Sequence, residues 1–367
     1  MHSLTSDPMR DRAAIRRWMQ ASIVAVFAAV MVGGITRLTD SGLSITEWKP
    51  IAGVFPPMSE GGWRTAYEAY LLIPQAQTTH AGITLEGFKV IYRWEWFHRL
   101  IARGVGLVFA LPYLWFLMRG RIPLELRVRL AALPVLTLAQ GVLGWYLVQS
   151  GLAERDSVSA YRLAAHLALA LGIFVVATWT WADLRTAAGG GRTADRDGWE
   201  RDHSAVAAEL RASARSRWRW AMRFLFVMVV LTIVAGAFVA GLDAGRIFNT
   251  FPLMEGAVVP DGYTAFTSWW RNAFENPVAA QLHHRVLALA TAILALVLAW
   301  RASPTALGAA ASKAVRDVGK ATLLQVVLGV ATLLLAVPVW LGVLHQFAGV
   351  LVLGAATLAL HATTRRN

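Results

Sequence analysis

Eight apolar runs constrain this chain more than any other feature. They lie at roughly residues 18–36, 94–118, 130–149, 161–183, 219–241, 282–300, 318–337 and 340–361. As a helix rising about 1.5 Å per residue, each is long enough to cross a hydrocarbon core of about 30 Å. The expected fold is therefore all-α: a polytopic membrane protein with eight transmembrane helices. The first run has a basic flank like a signal peptide, but no small-residue cleavage site follows it convincingly, so it is read as a span. Pro338 between the seventh and eighth runs implies a tight turn there. At 56% hydrophobic residues and mean hydropathy +0.49, the chain is too apolar for an ordinary soluble enzyme.

The net charge of +13 does not point to nucleic acid, because the basic residues sit at the ends of the apolar runs and form no stripe. Their distribution sets orientation instead. Segments 1–17, 119–129, 185–223, 301–320 and 362–367 hold 23 of the 35 Lys and Arg, which places both termini in the cytoplasm by the positive-inside bias. Residues 1–16 are polar and basic and are expected to be mobile. Segment 37–90 becomes a long extracytoplasmic loop with short helices near Ser59–Leu72 and Thr84–Tyr92. Three regions follow: an N-terminal half (1–184), a flexible cytoplasmic linker (185–217) and a C-terminal half (218–367). Gly189-Gly190-Gly191 in the linker is not a phosphate loop, since no Lys-Ser/Thr follows it. The chain has no cysteine, which excludes disulfides, Cys-ligated zinc and iron–sulfur clusters.

The halves repeat one another. Gly33-Gly34 pairs with Ala235-Gly236, His98-Arg99 with His284-Arg285, Gln140…Gly144 with Gln325…Gly329, and His166 with His345. Four helices per unit is an even number, so the units are parallel repeats: two pseudo-symmetric four-helix bundles related by an axis along the membrane normal. His98, His166, His284 and His345 each lie near the start of a span that runs inward, so all four share one depth near the outer surface. A lone intramembrane histidine is most often a packing group. Four at one depth, two per bundle on different helices, suit axial ligation of haem. His283 points about 100° away from its neighbour and reads as a packing or surface residue, and His2, His80, His203 and His361 have no counterpart in the repeat.

The stretch Gly33-Gly-Ile-Thr-Arg-Leu-Thr-Asp-Ser-Gly-Leu-Ser-Ile-Thr-Glu-Trp-Lys-Pro-Ile-Ala-Gly53, followed by Pro56-Pro57, resembles haem A synthase. So does Glu86-Gly-Phe-Lys-Val-Ile-Tyr-Arg-Trp-Glu-Trp-Phe-His-Arg99. The resemblance covers nearly the whole chain and is nearest to the cysteine-free alphaproteobacterial and mitochondrial branch. It implies oxidation of the C8 methyl of haem O to a formyl group, with a haem b kept as cofactor. It also implies that His284 and His345 ligate haem b, and that His98 and His166 hold the haem O substrate. Haem O synthase and cytochrome oxidase assembly factors are the implied partners, in the inner membrane, with a homo-oligomer left open.

One asymmetry supports that division on its own. Glu95 stands three residues before His98, and Gln281 three before His284, so each shares a helical face with its histidine. Glu exchanges a proton and Gln does not, which makes Glu95 the general acid/base candidate. Its bland alternative is an ion pair with Arg99 or Arg93. Arg99 and Arg285 are candidate partners for haem propionates. A di-haem electron-transfer cytochrome and a haem transporter or assembly chaperone are the competing readings; neither needs Glu95. A topology reporter fused within 185–217 should report cytoplasm and one within 59–80 the opposite side. The reverse result would overturn the common depth assigned to the histidines.

Overall fold

A computed structural model describes residues 8–49, 51–153, 155–189 and 205–364. Twelve α-helices occur among them: α1 (Pro8–Leu38), α2 (Glu60–Leu71), α3 (Pro74–Gln77), α4 (Leu85–Met118), α5 (Arg127–Gln149), α6 (Ala160–Gly189), α7 (Ala205–Gly241), α8 (Trp269–Glu275), α9 (Pro277–Arg301), α10 (Pro304–Leu307), α11 (Ala309–Leu334) and α12 (Val339–Thr364). Eight of them are long and apolar enough to cross a membrane: α1, α4, α5, α6, α7, α9, α11 and α12. No strand occurs among the described residues.

In the first half α1 packs along α4 and α6, and α5 lies between those two; in the second, α7 packs along α9 and α12, with α11 between them. The halves meet where α12 packs on α1 and α6, and α6 on α7. An apolar core runs through these contacts, with Met19, Phe109, Leu130, Met222, Val315 and Leu353 essentially solvent-free. A second apolar cluster, around Leu43, Tyr70 and Phe88, sits under the segment that joins α1 to α4.

Several boundaries differ from the sequence-based expectation. Residues 8–16 are helical rather than mobile, because α1 continues through them and is tied down. Asp11 is buried and lies 3.7 Å from Arg121, and Arg12 pairs with Glu125 in the α4–α5 connection. The short helix expected near Thr84–Tyr92 is the first turns of α4 itself. Thr84 caps it by accepting from the Gly87 amide at 3.2 Å, and no breaker separates that start from the apolar run. The expected helix near Ser59–Leu72 is α2, capped by Ser59. Much of the expected linker lies outside the described residues, but 205–217 belong to α7, as their Ala, Leu and Arg content favours. The turn at Pro338 is present, with Ala336 and Val337 both at positive φ before α12.

Positive φ also corrects the repeat. Asp40 after α1 and Asp243 after α7 both adopt the left-handed conformation, at 50° and 51°. Aligning them pairs Gly33 with Gly236, one residue off the pairing of Gly33-Gly34 with Ala235-Gly236. The two aspartates are joined by a single cation. Arg37 donates to Asp40 at 2.8 Å and to Asp243 at 2.6 Å, bridging the halves at the histidine end. Arg37→Ala should lower stability by about 1 kcal/mol, discounted because Asp243 is half exposed, read as a lower thermal midpoint of the detergent-purified protein.

Candidate functional site

Each of the four histidines rests on a glycine. A Cβ built on Gly33 would lie 2.9 Å from Cε1 of His98; on Gly144, 3.0 Å from His166; on Gly236, 3.0 Å from His284; and on Gly329, 2.8 Å from His345. Each glycine comes from the helix beside the histidine's own, near that helix's far end. A methyl group at any of them would push an imidazole out of place, so the chain needs glycine there for close approach. This contact brings all four histidines to one end of the bundle, as the common-depth reading expects.

Neighbouring groups repeat in part. Thr232 presents its carbonyl to Nδ1 of His284 at 3.1 Å, whereas Nδ1 of His98 has no such partner. A carbonyl on one ring nitrogen fixes the imidazole's tautomer and aims the other nitrogen away. Gln140 Nε2 lies 3.2 Å from both ring nitrogens of His166, and Gln325 Nε2 lies 3.4 Å from Nε2 of His345. Both glutamines were visible in the sequence repeat, but nothing there showed them touching histidines.

The site fits a bis-imidazole haem. The rings of His284 and His345 are 6.5 Å apart, centre to centre, and nearly perpendicular. Two metal–imidazole bonds of about 2.0 Å, each extended roughly 1.1 Å to the ring centre, need about the same span. Nδ1 of His98 and of His345 is buried without a partner. Among the described residues no three His, Cys, Asp or Glu side chains cluster as a non-haem metal would require.

Glu95 and Arg99 form a clamp on the α1–α4 segment. Glu95 is 2% exposed; its Oε2 accepts from the Ser44 hydroxyl and the Ile45 amide, both at 2.7 Å, and its Oε1 from Arg99 Nε at 3.0 Å. Arg99 also donates to the carbonyls of Ile45 (2.9 Å) and Glu47 (3.2 Å). The second half copies this almost atom for atom. Arg285 donates to the carbonyls of Phe248 (2.7 Å) and Thr250 (2.8 Å), the counterparts of Ile45 and Glu47, and Gln281 donates to Phe248 at 3.1 Å. The arginines thus hold backbone carbonyls, and Glu95 has the Arg99 ion pair. Arg285 keeps one N–H, at Nε, buried and unpartnered.

Over the first half sits a feature with no repeat partner. Tyr70, fully buried on α2, shares its hydroxyl with His80 Nδ1 (2.6 Å) and Gln75 (3.1 Å). Burial raises its phenol above the ordinary range, and the Glu95 and Asp40 charges add to this. His80 is therefore a structural partner, not a bystander. His361, also read as bland, is buried at the opposite end of the bundle and meets Asp183 at 2.9 Å under the Trp179 ring. His283 points off the site and bonds Tyr263 at 2.9 Å.

Histidines seated on glycines at one end of a duplicated helical frame define a class: multi-pass membrane proteins with two inward-held imidazoles in each half. Residues 16–357 match the family described as cytochrome oxidase assembly protein (COX15-CtaA), and the chain belongs to that family. It is 43% identical to heme A synthase of Bradyrhizobium sp. (strain ORS 278), over 96% of this chain and 92% of that protein. It is likewise 43% identical to heme A synthase of Caulobacter sp. (strain K31), over 96% and 97%, and 41% identical to that of Rhodopseudomonas palustris (strain BisA53), over 98% and 92%.

His284→Ala or His345→Ala should abolish the low-spin haem spectrum of the purified protein, the loss expected of an axial ligand. His283→Ala should leave that spectrum unchanged. The opposite pattern would displace the site by one residue.

Proposed function

We propose that this chain is a haem A synthase, an oxidoreductase that converts the C8 methyl of haem O to a formyl group and so supplies haem A for cytochrome oxidase. One observation supports the reading beyond the names of its relatives: all four histidines rest on glycines and both halves carry the arginine clamp, but only the first half has a carboxylate, Glu95, in it. His98 and His166 hold the haem O substrate. His284 and His345 hold haem b, which when bound supplies one-electron redox chemistry. The protein sits in the inner membrane with both termini cytoplasmic, and receives its substrate from haem O synthase.

The chain's own groups divide the work. The glycines under the imidazoles fix ring position, so the substrate's iron is held while its edge is presented to Glu95. Every partner of Glu95 is a donor, so the carboxylate accepts on both oxygens. The oxidation gives up electrons, which an external oxidant must accept, together with protons; Oε2 would take these protons, and the Ser44 hydroxyl on that oxygen, able to donate and accept, would carry them onward. Arg99 keeps the 44–47 segment against the site while this happens, and Arg285, with its unpartnered Nε–H, is the residue that would hold a propionate of haem b. Gln281, unable to exchange a proton, leaves the second pair to electron transfer.

Coexpression with haem O synthase, followed by mass analysis of extracted haem, tests the reading: haem A should appear only when this chain is present. Glu95→Gln imitates Gln281. It should keep haem b and accumulate haem O or the hydroxylated intermediate, with haem A formation down about 10²–10⁴-fold. Normal haem A at matched protein abundance would remove Glu95 from the mechanism.

A further inference from the structure

The helix α1 is a wall shared by the two histidine sites, and its two faces are spaced by one residue. Ala29 and Gly33 lie one turn apart on the first face, and the missing Cβ of Gly33 gives His98 its place. Val30 and Gly34, each the next residue, face the other half. The Val30 carbonyl accepts from Gln346 Nε2 at 2.6 Å, and a Cβ on Gly34 would lie 2.2 Å from Gln346 Oε1, so that glycine is the notch in which the amide sits. Gln346 directly follows His345. The Gln346 side chain and the adjacent Gly33 and Gly34 backbone therefore connect the ligand segment of the second site to the imidazole of the first.

The repeat shows that this is not ordinary packing. Its mirror connection would run from the residue after His166 to α7, beside the carbonyl that holds His284. That residue is Leu167, and the counterpart of Gly34 is Ala237; Leu167 packs there against an apolar cluster that includes Ala237. Leucine cannot donate, and alanine leaves no notch. The polar connection exists on one of two pseudo-equivalent sides, and it joins His345 to His98. Glu95 against Gln281 breaks the symmetry at the chemistry; Gln346 against Leu167 breaks it between the sites.

We propose that Gln346 is a positioning residue for electron exchange between the two histidine-held haems, seated in the Gly34 notch so that the His345 segment is coupled to the stretch of α1 whose other face seats His98. This rests on the reading that both pairs hold haem. The exchange is one electron: the iron on His284 and His345 changes between ferrous and ferric while the iron on His98 and His166 makes the opposite change. No bond or proton moves. Gln346 touches neither iron and acts only through the path it closes.

Gln346→Leu imitates Leu167. It leaves no orphaned acceptor, since the Val30 carbonyl keeps its helical bond from the amide four residues on, so the variant should fold. Gly34→Ala leaves Gln346 intact but fills its notch. The full chain, purified with haem in both pairs after coexpression with haem O synthase, is mixed with less than one equivalent of dithionite, and redistribution between the haems is followed by rapid-scan spectroscopy. Both variants should show unchanged haem content and static spectra, with redistribution slowed about tenfold, within the range carried by groups in one hydrogen-bonded network. An unchanged rate in Gln346→Leu overturns the proposal. So does a slowing accompanied by a changed low-spin spectrum of the His284–His345 haem, which would mean Gln346 merely supports its neighbour. Should the wild-type chain fail to take up a second haem even when haem O is supplied in excess, the functional reading itself fails, and the proposal with it.

Discussion

The contact on which this structure depends is an imidazole edge against bare backbone. Where two helices pack with ordinary side chains between them, no space remains for a ring to stand upright beside the facing helix. Glycine at 33, 144, 236 and 329 removes the obstructing atom, and in each case the histidine fills the gap. The consequence spreads outward. Because the ring has one place to stand, a carbonyl one turn earlier can meet its nitrogen on α7, and a glutamine one turn earlier can reach it on α5 and α11. Orientation of a ligand in a low-dielectric interior needs such a second contact, because a ring free to turn would not hold a metal in one geometry.

A second constraint governs the loops at the histidine end. Segments 44–47 and 248–250 carry backbone carbonyls with no sheet or helix to absorb them. A buried carbonyl without a donor is costly, and Arg99 and Arg285 supply the donors from one helical turn below. The clamp is the same in both halves, whether or not a carboxylate accompanies it. The arginine is thus the architectural member of the pair, and Glu95 is what the first half adds to it.

Much of this was legible in the sequence. The spans announce themselves by length and apolarity, and the four histidines by their recurrence. The part that was not legible is instructive. Gly33-Gly34 offers two ways to align with Ala235-Gly236, and letters alone favour neither; the left-handed turns at Asp40 and Asp243 decide it. The arginines looked like anion partners because a guanidinium matches a carboxylate, but a guanidinium also matches a row of carbonyls, and which row lies nearby is a tertiary fact. The polar start of α1 gave no hint of order, because what orders it is Arg121 and Glu125, over a hundred residues away. Gln346 carried no signal, as a single amide inside an apolar helix reads as incidental until its notch is seen.

Arg37 carries a last consequence, for how a duplicated protein stops being symmetric. Its repeat counterpart is Ala240, yet both aspartates it bridges were kept. A dimer of two identical first halves would bring two guanidiniums to a junction that now holds one. A dimer of two second halves would bring none, leaving two carboxylates facing each other. Two first halves would balance two guanidiniums against two carboxylates, whereas the seam as it stands shares one guanidinium between two. The second half therefore depends on the first for the only cation that its Asp243 meets among the described residues, and the seam holds the two unlike halves as a pair.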